Sequence, residues 1–417
     1  MTGLADCNNF FVSCERAQNP QLEGRAVVVL SNNDGCAVAR SNEAKRLGVK
    51  MGQPAFELRD LITSGQLIAL SGNHTLYRDI SLRIHDIFRR YAPHTTDYSV
   101  DEAFLDMAGI PDSELPGIGA AIVGACMEEE RIPVTIGFAP TKTLAKIATE
   151  RGKKTGEKVV MLSDLREIEK ILADMPIGDL WGIGRRLAKR MYLAGVHTIG
   201  DFARKELIWV RGELGVHGER SWRELHGEPC IELTHASRTL QDSVSETRTF
   251  PTDIGDFDYI RSRIVIYSTD VARRLRAMKG VCAVVSVFMA TNRFHRERGY
   301  VTPSASVRLD PPTNDTNIIA DTAVRIFESI FDPAYRYKRA GVTLSEITPE
   351  REAAPSLFDD IEARRLATVR SRRLMEAVDR LNRNCGSSVL GLATGQTKGH
   401  KVSNDGYVNS FGPAKKD

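Results

Sequence analysis

Three carboxylates carry the chemistry that this sequence suggests. Asp6 ends a short apolar run that leads in from Leu4 and Ala5, and Asp101 and Glu102 are neighbours inside Tyr98-Ser99-Val100-Asp101-Glu102-Ala103-Phe104-Leu105-Asp106. That second stretch reads as two short strands meeting at the acid pair. Adjacent side chains on a regular strand point to opposite faces, so two acids acting together require a local turn or bulge. An acid pair among apolar residues is costly unless something neutralises it, and hard divalent cations take carboxylate oxygens. If the Asp6 strand pairs with the 98–106 hairpin, all three acids converge. With two Mg²⁺ ions about 3.5–4 Å apart, such a set makes a clamp for in-line phosphoryl transfer. The acid pair alone would also suit a solvated turn; the third acid adds the functional reading.

The elements that must position these acids follow in order. A helical pattern begins at Asn73, with Leu76, Ile80, Ile84, Ile87, Phe88 and Tyr91 at three- and four-residue spacing. Strands follow near 95–100 and 103–107, then a helix over 116–130 and a strand over 133–138. With the first strand this gives β-α-β-β-α-β, a ferredoxin-like order that serves many unrelated activities. A turn-rich insert lies between the first strand and the first long helix, with strands over 25–30 and 36–40 and a short helix capped by Ser41.

Beyond the fourth strand, Thr141 starts a helix carrying Lys142 and Lys146, and Arg151, Lys153, Lys154 and Lys158 cluster around Gly152 and Gly156. Residues 161–235 are mostly helical. Within them, Met175-Pro176-Ile177-Gly178-Asp179-Leu180-Trp181-Gly182-Ile183-Gly184 resembles a helix-hairpin-helix, followed at once by Arg185, Arg186, Lys189 and Arg190. Two glycines around an apolar residue let backbone N–H groups approach a phosphate, and such contacts hold a duplex without reading its bases. From Val244 to Ile347 strands and helices alternate again. Leu374, Val378 and Leu381 mark a later amphipathic helix.

Composition sets broad limits. A chain of 417 residues holds two to four domains on the usual size prior, and 42% hydrophobic with 27% charged residues suits a globular protein. No long apolar run or export signal is found, and the seven cysteines lack zinc or CxxC spacing, so reduced thiols in the cytoplasm are expected. The net charge of +3 is too small to identify a nucleic-acid-binding protein by itself.

Several ordered motifs together resemble the Y-family translesion DNA polymerases: Asp6 followed by Cys-Asn-Asn-Phe-Phe, Ser99-Val100-Asp101-Glu102-Ala103-Phe104, and Gly137-Phe138-Ala139-Pro140-Thr141-Lys142-Thr143-Leu144-Ala145-Lys146. Ser31-Asn32-Asn33-Asp34-Gly35-Cys36 and Trp181-Gly182-Ile183-Gly184-Arg185-Arg186 are similar to the UmuC branch, the catalytic subunit type of bacterial DNA polymerase V. The resemblance implies an α+β multidomain chain. Its parts would be a ferredoxin-like βαββαβ palm (1–10 and 73–160), small fingers (11–72), a helical helix-hairpin-helix thumb (161–235), an α/β little finger (241–347) and a C-terminal tail with partner-binding segments (348–417).

It also implies residue roles. Asp6, Asp101 and Glu102 would be catalytic and, with the Cys7 carbonyl, hold two Mg²⁺ ions. Phe10, Phe11, Asn42, Lys45 and Lys153 would bind the nucleotide. Phe11 would pack under the incoming sugar and leave no room for a 2′-hydroxyl. Gly182, Gly184, Arg185, Arg186 and Lys189 would contact DNA. Leu357 and Phe358 would dock on a sliding clamp, weakly, because Ala354-Pro355-Ser356-Leu357-Phe358 lacks the Gln and first Leu of the family's motif. Primer-template DNA and deoxynucleoside triphosphates would be joined by a UmuD-type dimer, RecA and the sliding clamp as partners, in a bacterial cytoplasm at the nucleoid. The activity implied is error-prone translesion synthesis in an SOS-type response. The rival readings are a catalytically inactive polymerase-like accessory protein and a helix-hairpin-helix DNA-binding or nuclease protein.

Overall fold

The computed structural model describes residues 1–31, 35–232, 240–293, 299–350, 361–384 and 390–392. The chain forms two compact units, Met1–His235 and Ala236–Val402.

The first unit is built on a five-stranded sheet. The first strand, Thr2–Cys7, lies at its centre, flanked on one side by Glu102–Asp106 and His94–Asp97 and on the other by Val134–Ala139 and Val159–Met161. The first four of these, with helices His74–Tyr91 and Leu115–Glu130, make the ferredoxin-like palm. The fifth, Val159–Met161, runs parallel to Val134–Ala139 and extends the sheet beyond the four strands expected from sequence. Leu4, Ala5, Phe104 and Ile136 are all buried, as suits a sheet covered on both faces.

Helix Lys142–Thr155 lies hard against this sheet. A Cβ at Gly137 would collide with the Thr149 amide nitrogen and the Ala145 carbonyl oxygen, so only glycine permits this approach. Thr149 Oγ1 donates to the carbonyls of Leu4 and Ala145, and Thr141 caps the helix by accepting from Leu144 N. The Glu224 carboxylate, fully buried, sits at the same helix start and accepts from Thr143 N at 2.8 Å, Cys230 N at 3.1 Å and Ile231 N at 3.0 Å. A buried charge of this kind is tolerated because backbone N–H groups surround it and the helix dipole favours it.

The insert between the first strand and the helix at His74 is the small fingers, a three-stranded sheet in which Val27–Leu30 runs antiparallel to Ala37–Arg40 and parallel to Ile68–Ser71. Its short helix Asn42–Arg46 is capped by Ser41, which also accepts from Val27 N and so fastens helix to sheet. The thumb is helical. Pro176 and Thr198 form an antiparallel bridge that closes its hairpin, and Ile183, Met191, Val196 and Ile199 fill the interior.

The second unit is the little finger, an antiparallel sheet ordered Ser304–Thr313, Gly280–Thr291, Tyr337–Pro349, Ser243–Ile254, with helices Phe257–Ala277 and Thr316–Ile330 on it. A further helix, Ile361–Asn384, docks through buried Met375 and through Asp379, which takes a bidentate pair from Arg276 at 2.7 and 2.8 Å. Leu374 and Leu381, expected on its apolar face, are instead exposed.

Candidate active site

Strand pairing brings two of the three acids face to face. Asp6 is the direct antiparallel partner of Glu102, which places both side chains on one face of the sheet. Asp101 lies one residue before that strand, and its carbonyl accepts from Cys7 N at 2.9 Å. Its carboxylate takes a different partner, the Ser99 hydroxyl at 2.6 Å, while Ser99 Oγ accepts from the backbone of Asp101 and Glu102. The hairpin is thus a serine-stapled turn that separates the two neighbouring acids.

Two lysines meet the facing pair. Lys146 Nζ lies 2.5 Å from Glu102 Oε1, and Lys153 Nζ lies 2.5 Å from Asp6 Oδ2. Seven residues apart on one helix, they share a stripe and stand roughly 10 Å apart along the axis. Asp6 is 5% exposed. Burial pushes its carboxyl up to about 7, against the pull of Lys153, and the Glu102 carboxylate adds to the rise. Burial alone would lower the Lys153 ammonium; the Asp6 carboxylate outweighs it and holds the group above its ordinary value. Among the described residues no three His, Cys, Asp or Glu side chains are already gathered into a metal cage. The donor chemistry nonetheless fits a hard divalent cation: a buried carboxylate, a second facing it, a third on the adjoining turn, and the facing pair balanced by ammonium groups.

Around this centre the fingers contribute cations. Lys45 is lowered by burial first and then by the positive charges of Arg40 and Lys153, so these three groups share one neighbourhood. Asn42 Oδ1 accepts from Lys45 Nζ at 3.3 Å and from Asn9 Nδ2 at 3.1 Å, tying the fingers helix to the left-handed residue that starts helix Phe10–Gln18. Phe10 is buried in the palm core, whereas Phe11 remains partly exposed beside it, ring centroids 5.9 Å apart.

In the thumb, Gly182 has φ 90° and Gly184 caps helix Arg185–Leu193, with Arg185, Arg186 and Lys189 exposed at its start. Trp181, just ahead, donates to the Tyr98 hydroxyl at 2.9 Å, and Tyr98 in turn lies under the Lys146 ammonium at 5.1 Å. The acid hairpin and the helix-hairpin-helix are therefore joined by one aromatic bridge. Sequence reasoning did not find this bridge, the Lys146–Glu102 pair or the role of Glu224. Only the seven-residue spacing of Lys146 and Lys153 could have hinted at any of them. Leu357 and Phe358 lie outside the described residues.

Comparisons with known proteins bear on the family and the fold. Residues 5–150 match the impB/mucB/samB family, 166–196 the helix-hairpin-helix motif of that family, and 241–357 its C-terminal domain. In fold the chain is similar to a solved Y-family DNA polymerase chimera of Dbh and Dpo4, with a TM-score of 0.66 at 22% identity, covering 83% of this chain and 98% of that one. An insertion ternary complex of Dbh DNA polymerase gives a TM-score of 0.53 at 21% identity, with the same coverage. The chain is 36% identical to Protein UmuC of Salmonella typhimurium over 94% of this chain and 93% of the relative. It is 36% identical to Protein SamB of the same organism, over 92% and 90%. A DNA polymerase IV of Pelotomaculum thermopropionicum is 28% identical over 92% of each. The chain belongs to the impB/mucB/samB family, with Protein UmuC among its relatives.

Proposed function

We propose that this Y-family polymerase performs DNA-templated nucleotidyl transfer, extending primers across damaged template with low fidelity in an SOS-type response. The observation that carries the reading is the Asp6–Glu102 pair, directly opposed on adjacent strands and balanced by Lys153 and Lys146, with Asp101 on the adjoining turn. Asp6, Asp101, Glu102 and the Cys7 carbonyl would hold Mg²⁺. Two Mg²⁺ ions, when bound, supply an activated primer hydroxyl and offset the charge that develops on the transferring phosphate. The primer 3′-oxygen bonds to the α-phosphorus, and pyrophosphate leaves.

The chain's own residues do the positioning. Lys153 and Lys45 meet the triphosphate, and Asn42 orients Lys45. Phe11, braced by Phe10 from the core, faces the sugar. Gly182, Gly184, Arg185, Arg186 and Lys189 grip duplex phosphates without reading bases. On this reading the palm takes 1–10 and 73–160, the fingers 11–72, the thumb 161–235, the little finger 241–347 and the tail 348–417. A UmuD-type dimer, RecA and a sliding clamp are the partners, Leu357 and Phe358 the clamp anchor, and the bacterial cytoplasm the compartment. Among the described residues no helix is long and apolar enough to cross a membrane.

Primer extension on undamaged and abasic templates, with those partners present and absent, tests this. Extension past the abasic site supports it. DNA binding without extension under every condition would move the chain to the accessory-protein reading.

A further inference from the structure

Phe11 and Glu15 lie one turn apart on helix Phe10–Gln18, and one residue from another helix touches both. The Tyr77 ring is stacked on Phe11, centroids 4.4 Å apart and planes 16° from parallel. The Tyr77 hydroxyl donates to Glu15 Oε1 at 2.6 Å. His74, one turn earlier in the Tyr77 helix, sets its ring edge-on to Phe11 at 5.7 Å and to Tyr77 at 5.8 Å. Tyr77 is 1% exposed and Glu15 3% exposed, so neither reaches a nucleotide. Burial and then the bond to Glu15 push the Tyr77 phenol well up, which keeps it a proton donor throughout the working pH range.

Offset aromatic stacking fixes the spacing of two rings better than their lateral position. A hydrogen bond to a charged acceptor is short and directional, and adds that lateral constraint. Because Glu15 and Phe11 ride on the same helix, the bond to Glu15 sets where Tyr77 sits under Phe11. We propose that Tyr77 and Glu15 form a buried register that holds the Phe11 ring at the height needed to exclude a 2′-hydroxyl, making both of them specificity-determining positioning residues. The proposal rests on the reading of Phe11 as the surface beneath the incoming sugar. Small displacements at such a surface are enough to change selection, since 1 Å can cost two orders of magnitude in a reactive geometry.

The test uses the full chain on primer-template DNA with a dideoxy-terminated primer, so that affinity is read without chemistry. The probes are dATP and ATP opposite template thymine, and the readout is the ratio of their Kd values. The KM-against-kcat split for the same pair is measured on an extendable primer. Phe11→Ala should collapse the ratio. Tyr77→Phe, which keeps the ring and removes the hydroxyl, should lower it about three- to tenfold, mainly through tighter ATP binding. Glu15→Gln, whose amide oxygen still accepts, should fall between Tyr77→Phe and wild type. An unchanged ratio in Tyr77→Phe and Glu15→Gln, with collapse in Phe11→Ala, would sink the register and leave Phe11 its role. An unchanged ratio in Phe11→Ala would sink both. Equal weakening of dATP and ATP in Tyr77→Phe would reduce the pair to ordinary core support and overturn the proposal.

Discussion

Lys153 reaches the Asp6 carboxylate at 2.5 Å, so the lysine proposed for the triphosphate and the acid proposed for the metal are direct neighbours. The same helix offers Lys146 to Glu102 at 2.5 Å. Each of the two facing carboxylates is thus paired with an ammonium group. On the proposed reading, Lys153 serves the triphosphate and the acids serve the cation.

Lys153→Met should then act on nucleotide binding more than on folding. The KM for deoxynucleoside triphosphates is expected to rise at least about tenfold, equivalent to roughly 1.4 kcal/mol of lost interaction. Steady-state single-nucleotide insertion measures it. An unchanged KM would remove Lys153 from the phosphate site.

Glu224 is expected to matter for stability although it lies outside the metal site. Its carboxylate accepts from the backbone N–H groups of Thr143, Cys230 and Ile231, and its backbone carbonyl accepts from Thr141 Oγ1. Glu224→Ala leaves the buried Thr143 N–H and the part-buried Cys230 and Ile231 N–H groups without their acceptor, at a cost of about 2 kcal/mol or more. Urea denaturation should show a clearly lower midpoint. A midpoint equal to wild type would mean that other acceptors replace the carboxylate.

The thumb makes a prediction about salt. If Arg185, Arg186 and Lys189 each neutralise a duplex phosphate, the log–log slope of affinity against salt should shrink by about 0.9 for each removed charge. The triple alanine variant should therefore lose close to three units of slope, with little change in preference among DNA sequences. Fluorescence anisotropy across a salt series reads this directly, and an unaltered slope would place the duplex elsewhere.

Much of the palm was legible because its strands and helices follow one another with clear periodicity. The Asn73 start of the long helix and the Thr141 cap lie where side-chain chemistry put them. Val159–Met161 escaped notice because three residues carry almost no pattern, and its pairing with Val134–Ala139 is a tertiary fact. Ile68–Ser71 was missed for a similar reason: its parallel partner is about 40 residues earlier. The C-terminal helix misled in another way. Its leucines mark an apolar stripe, but docking is decided by Met375 and the Arg276–Asp379 pair, leaving Leu374 and Leu381 exposed. At the site, residue types pointed to an acid cluster. The partner of each acid depends on strand register and helix packing, and the Tyr77–Glu15 bond spans 62 positions that no local pattern connects.

The central claim is that the carboxylates at this hairpin perform nucleotidyl transfer. The most direct measurement is primer extension in Mg²⁺, with partner proteins present, comparing wild type with Asp101→Ala/Glu102→Ala at matched DNA binding. The account predicts extension by wild type on undamaged and abasic templates, and a loss of at least about a thousandfold in the double variant with DNA affinity retained. Extension by the double variant at the wild-type rate would contradict it.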